Sequence, residues 1–241
     1  MKQKIWLDET DAALDDAARR YTAERYRFDV RQRLSREERR FSPAVWKDLA
    51  DMGWLGVATS EEAGGLGLRV GSICLLAEAA GRALLTEPLT SAGVVAPYLL
   101  ARETVQRDEL LPRLYAGELR IACMLDAASV RVEAGRLHGR QHVVVDADIA
   151  DRLLVRGGDS LWLLDASAAG VTRQSYPLLD GRGAASVTFD GAEATRLASV
   201  GQADIQYALW LAALATAADS HGAMSAAFDL TLDYLKTRRQ F

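Results

Sequence analysis

Arg238, Gln240 and Phe241 close the run Tyr234-Leu235-Lys236-Thr237-Arg238-Arg239-Gln240-Phe241, which sets a guanidinium, an amide and an aromatic ring side by side. A guanidinium fork matches phosphate oxygens two at a time. The run therefore suits a diphosphate whose base is flanked by the ring, and it equally suits a solvated basic helix face. A second stretch, Met52-Gly53-Trp54-Leu55-Gly56-Val57 followed by Glu61-Glu62-Ala63-Gly64-Gly65-Leu66-Gly67, reads as a helix end and a tight loop. Its glycines supply the positive φ angles that such a loop needs.

Other constellations carry less. Gly65-Leu66-Gly67 with Gly71 has no strand before it and no acid at the right place after it, so a dinucleotide fingerprint fails. Asp219-Ser220-His221 contains the residue types of a hydrolytic triad, but successive residues of a helix point in different directions. His138 and His142 lie on an expected strand, about 13 Å apart, too far to share an ion. Cys74 and Cys123 form no CxxC and sit in apolar surroundings, which suggests buried free thiols. No metal site is expected.

These residues must be positioned by elements that change period twice. Asp11 to Arg40 is rich in Ala, Arg and Glu at helical spacing. Ser42-Pro43 marks a helix start and Gly53 its stop. Further helices are expected over about Val70–Leu84, Pro88–Leu100 and Val105–Tyr115. From residue 120 the spacing becomes two. Ala185, Val187 and Phe189 alternate with Ser186, Thr188 and Asp190, and turns are expected at Ala134-Gly135 and Gly157-Gly158-Asp159. A small antiparallel barrel or sandwich follows from strands at this spacing. From about Ala203 one long helix carries the apolar stripe Met224, Phe228, Leu232 and Leu235. With no cap before Phe241, the helix is expected to run to the end of the chain, as though a C-terminal segment were missing.

The fold class is therefore α+β, in three parts: residues 1–119 an N-terminal helical bundle, 120–199 a middle β domain, and 200–241 the first long helix of a C-terminal helical domain. The 241 residues carry a net charge of -4, which gives no sign of a nucleic-acid partner. No apolar run reaches bilayer-spanning length and no signal peptide is evident, so a cytoplasmic location is the expectation.

In order and wording, these stretches resemble the acyl-CoA dehydrogenase family. The Gly53–Val57 segment with Glu61–Gly67 is similar to that family's N-terminal signature, and Tyr234–Phe241 to the start of its C-terminal domain. The resemblance implies an enzyme that binds FAD between the β domain and the helices. A carboxylate removes the α-proton of an acyl-CoA thioester and the β-hydride goes to the flavin. It implies a homo- or hetero-oligomer in which Arg238, Gln240 and Phe241 reach the diphosphate of the FAD held by a neighbouring subunit.

Measured against the family pattern, three departures stand out. The flavin-contacting turn of the β domain is shortened to Ala122–Ser129, leaving Asp126 and Ser129 as its polar candidates. The Trp-Ile-Thr strand that packs on the flavin is replaced by Val143, Val144 and Val145. No catalytic carboxylate is evident, because Ala212 or Ala213 occupies the position used by some relatives. The leading expectation is an acyl-CoA dehydrogenase subunit, cofactor-poor within a heteromer acting on bulky acyl-CoAs such as steroid side chains. A homomeric enzyme with an atypical FAD pocket and a flavin-free scaffold subunit are the alternatives. The isolated chain is not expected to turn over acyl-CoA.

Overall fold

The computed structural model describes residues 7–37, 39–126 and 129–239. Its helical part comprises α1 (Glu9–Glu24), α2 (Phe28–Leu34), α3 (Pro43–Asp51), a 3-10 turn (Glu61–Ala63), α4 (Val70–Ala83), a π-helical segment (Leu89–Val95), α5 (Ala96–Leu100) and α6 (Thr104–Tyr115). Eight strands follow: β1 (Ile121–Met124), β2 (Val130–Glu133), β3 (Arg136–Val145), β4 (Arg152–Gly157), β5 (Ser160–Asp165), β6 (Val171–Pro177), β7 (Gly183–Glu193) and β8 (Thr195–Leu197). The last element is α7 (Gln202–Thr237).

Local chemistry sets the helix ends. Asp8 caps α1 by accepting from the Asp11 N–H at 2.8 Å. Buried Asp11 in turn accepts from Ser72 Oγ at 2.6 Å and pairs with Arg69, fixing α1 to the start of α4. Ser42 caps α3 through the Val45 N–H, and Gly53 at φ +73° ends it, as its sequence signals predict. The helical spacing over Asp11–Arg40 belongs to two helices, α1 and α2. Between them Tyr26 turns into the core, where its hydroxyl accepts from the Thr86 N–H at 3.2 Å. The stretch expected as a helix from Pro88 is π-helical over its first seven residues.

The strands form two four-stranded sheets, β1-β4-β5-β8 and β2-β3-β7-β6. This is a sandwich and not a closed barrel, and β1 runs parallel to β4 rather than antiparallel. The β2–β3 hairpin, placed in the other sheet, supplies the long connection that a parallel pair requires. Ala134 and Gly135 both have positive φ, the geometry of a tight primed hairpin turn. On β7 the expected alternation holds at Phe189 and Asp190. Gly183–Val187 are buried on both faces, with the β3–β4 turn folded against Gly183.

One apolar core joins the helices to Leu154, Leu161 and Leu163 of the first sheet; a second lies inside the sandwich around Met124, Leu137, Val155, Val187 and Phe189. Helix α7, roughly 50 Å long by its residue count, buries Ile205, Ala208, Leu211, Ala215 and Gly222. Met224, Phe228, Leu232 and Leu235 are exposed. The helix stops at Thr237, where Arg238 turns extended, instead of continuing to the last residue.

Candidate functional site

The glycine-rich loop is built around a side chain of its own chain. Gly56, Gly64 and Gly67 all have positive φ. A Cβ on Gly56 would lie 2.7 Å from Tyr115 Cζ, and one on Gly65 would lie 2.7 Å from the Gly56 carbonyl oxygen. The loop wraps the Tyr115 ring, so its glycines answer to packing rather than to a phosphate.

The residues expected at a cofactor are spread over the chain. Arg238 is exposed and lies over the Tyr234 ring, 5.4 Å from its centroid. Gln240 and Phe241 lie outside the described residues. Asp126 is exposed and Ser129 half-buried, on either side of the undescribed residues 127–128. Among the described residues Arg238 forms no hydrogen bond or ion pair with Asp126 or Ser129, so one chain does not gather these groups into one place.

On β3, Val143 and Val145 point outward, 56% and 37% exposed, while Val144 is buried. The register with β7 slips between Gln141 and Val144, and Val143 adopts φ +56°. The Val143 N–H donates to Tyr176 Oη at 2.8 Å. The exposed face is thus apolar, and one of its backbone donors is already engaged.

Three of the four acids of α7 are held by arginines, and the fourth, exposed Asp233, lies 3.6 Å from Lys236 Nζ. Asp204 pairs with Arg102, Asp219 Oδ1 accepts from Arg182 at 3.4 Å, and Asp229 Oδ2 accepts from Arg82 at 2.6 Å. Burial pushes Asp219 up, with Arg182 opposing. Asp204 is held below the usual range: burial acts upward, but the Gly201 N–H and Arg102 outweigh it. Each of the three arginine-held acids is thus engaged, and Ala212 and Ala213 carry no acid. Asp219 and His221 turn to Arg182 and Glu78 respectively, so the apparent triad is absent. Cys74 and Cys123 form no disulfide with each other and are only partly buried; their thiols donate to the Val70 and Ser91 carbonyls. Among the described residues no group of His, Cys, Asp or Glu is placed to hold a metal, and no helix is long and apolar enough to cross a membrane.

Two buried acids escaped the sequence reading. Glu87 is 1% exposed. Its Oε1 accepts from the Ser42 N–H at 3.3 Å, and its Oε2 has no hydrogen-bond partner among the described residues. Burial raises it to about 7 against backbone N–H groups that favour the anion. Asp146 is 6% exposed and is raised by burial to about 6, with Ser91 and Arg182 opposing. Nothing in their spacing marks them, since both sit in loops between elements; only the unusual Thr86-Glu87-Pro88 within an apolar stretch gave a signal.

A helical layer, a two-sheet sandwich and a long following helix define the architecture of flavin-dependent acyl-CoA oxidoreductases, and the comparisons agree. The family profile "Acyl-CoA dehydrogenase, N-terminal domain" matches residues 8–118. Acyl-CoA dehydrogenase IpdE2 of Mycolicibacterium smegmatis is 29% identical over 202 residues, covering 83% of this chain and 56% of that protein. The solved Tcur3481–Tcur3483 steroid acyl-CoA dehydrogenase variant superposes with a TM-score of 0.87 at 30% identity, covering 97% of this chain and 68% of that one. The ChsE4–ChsE5 complex of Mycobacterium tuberculosis gives 0.86 at 25% identity, covering 98% and 69%. This chain belongs to the acyl-CoA dehydrogenase family. It spans between 56% and 60% of the length of the curated relatives it matches.

FAD is the cofactor of that family, and of the residues expected at it the described ones differ in how well their chemistry suits it. The exposed guanidinium of Arg238 suits a diphosphate. Val143–Val145, the stretch expected from the sequence at the flavin ring, offers no side-chain donor and no aromatic plane of its own, and its Val143 N–H is already given to Tyr176. If those residues face the ring, their side chains do not fit the flavin.

Proposed function

We propose that this chain is a subunit of a heteromeric acyl-CoA dehydrogenase and its cofactor-poor member. The assembled enzyme would perform α,β-dehydrogenation of an acyl-CoA thioester, with the electrons passing to FAD held by the partner. The observation that carries this reading is the apolar Val143–Val145 face, set against an exposed Arg238 that has no acidic partner among the described residues. Arg238, with Gln240 and Phe241, would reach the diphosphate of the partner's FAD; Asp126 and Ser129 are the remaining polar candidates on the sandwich. The three-part division at residues 119 and 199 belongs to the same proposal, as does a cytoplasmic location. Complexes of two named chains among the similar structures, one titled a steroid enzyme, support a heteromer acting on a bulky acyl-CoA.

Ala212 and Ala213, at the position where some relatives carry the catalytic acid, favour one further reading, a scaffold subunit without chemistry. Co-expression with a family member bearing Trp-Ile-Thr decides between them. The expected result is a colourless isolated chain and a yellow complex bleached by acyl-CoA, with Arg238→Ala lowering its flavin content. A complex that stays colourless supports the scaffold. Stoichiometric FAD retained by the isolated chain through gel filtration would overturn both in favour of a homomeric enzyme.

A further inference from the structure

The π-helical segment is tied to the sandwich by a buried acid. Ser91 Oγ donates to Asp146 Oδ2 at 2.5 Å. Asp146 lies in the left-handed region at φ +65°, a conformation that aspartate tolerates better than most side chains. Its own N–H donates to the Gly183 carbonyl at 3.1 Å, which fixes the turn to β7. From the other side, Cys123 Sγ of β1 donates to the Ser91 carbonyl at 3.6 Å. Three elements that are distant in sequence therefore meet at one residue of the π-helical segment. That segment packs between α7 and β1, and π turns concentrate at functional sites.

Burial acts against the Asp146 carboxylate, and nearby charges offset it only in part. Arg182 acts on Asp146 favourably while also meeting Asp180 and Asp219, the latter on α7. Asp148 and Asp180 act the other way. The acid thus belongs to a polar seam running from the π-helical segment through two turns of the sandwich to α7. Asp146 directly follows Val145 of the exposed face.

We propose that Asp146 is a positioning residue: by holding Ser91 it locks the first turn of the π-helical segment onto the sandwich beside the Val143–Val145 face. The meaning of that face rests on the subunit reading above; the lock itself is a property of this chain and is tested without flavin or turnover.

Cys123 is a built-in reporter, and Cys74→Ser leaves it as the one cysteine of the chain. In that background, Cys123 labelling by a thiol reagent in native buffer is expected to be slow. Ser91→Ala and Asp146→Ala each accelerate it about tenfold or more, the size expected from losing one charge-assisted hydrogen bond. Ser91→Thr, which keeps the hydroxyl, restores slow labelling, and the double alanine variant is no faster than the faster single one. Rates unchanged by either alanine, additive effects, or acceleration matched by an equal fall in global stability to urea would overturn the proposal. A colourless complex in the co-expression experiment would count against the subunit reading and leave this result standing.

Discussion

Gly81 of α4 and Gly222 of α7 face each other across the helix crossing, each pressed against the other helix's main chain. A Cβ on Gly81 would overlap the Asp219 carbonyl group and sit 2.8 Å from Asp219 Cα; one on Gly222 would overlap the Glu78 carbonyl and sit 2.9 Å from the Arg82 nitrogen. The neighbours are backbone atoms, which no rotamer change can move aside.

That geometry sets the sign of a substitution. Alanine is the better helix former by about 1 kcal/mol, which alone would make Gly81→Ala or Gly222→Ala stabilising. Overpacking against main chain costs about 1–3 kcal/mol or more, and here the atoms met are backbone atoms of the facing helix. Both variants are expected to lower urea stability, by about 2 kcal/mol each. Equal or higher stability would show that the helices separate freely.

Two other glycines make a contrast at nearly the same φ. Gly56 and Gly135 both have φ +76°, but a Cβ on Gly56 strikes Tyr115 whereas nothing lies within 4 Å of one on Gly135. Gly56→Ala is expected to cost about 2–3 kcal/mol from strain and clash together. Gly135→Asn, with a residue that accepts the left-handed region, should stay within about 1 kcal/mol of the parent. Thermal unfolding of the pair checks this, and similar losses at both sites would refute a packing role for the Gly56 loop.

How much of this was legible follows from particular residues. Ser42-Pro43, Ala134-Gly135 and Gly158 are local signals, and each marks the element boundary or turn it predicts. The break at Tyr26 was not legible, because its cause is Thr86, sixty residues away. The parallel β1–β4 pair depends likewise on long-range pairing rather than on alternation. At the candidate site, Val143–Val145 was recognised as a departure from type alone. Its positive φ and its engaged N–H were not, since a register slip leaves no mark on residue spacing. Asp146 and Glu87 were missed because burial, not sequence, gives them their chemistry.

Glu87 gives the chain a pH dependence of definite sign. Its carboxyl is raised from 4.5 to about 7 in the fold. The folded state therefore binds the proton more tightly than the unfolded one, so stability falls as pH rises from about 4.5 to about 7 and is flat above. Asp146, raised from 3.8 to about 6, slopes the same way. Glu87→Gln removes the first contribution alone. The variant should match the parent near pH 4 and exceed it by about 2–3 kcal/mol at pH 8. Parallel stability curves across this range would mean that Glu87 titrates as an ordinary surface acid.

Val143 offers the last test, where strain and exposure oppose each other. A β-branched side chain at φ +56° costs roughly 1–2 kcal/mol relative to a residue at ease in the left-handed region. Its burial returns little, since more than half of it is exposed. The N–H bond to Tyr176 belongs to the main chain and survives substitution. Val143→Asn is therefore expected to raise stability by about 1 kcal/mol, read from the urea midpoint at unchanged slope. Tyr176→Phe, which removes the acceptor of that N–H, should lower stability by about 1 kcal/mol and erase part of the gain when the two are combined. If Val143→Asn destabilises instead, the bulge at Gln141–Val144 is held by the valine side chain, and the exposed face is a packing surface rather than a strained one.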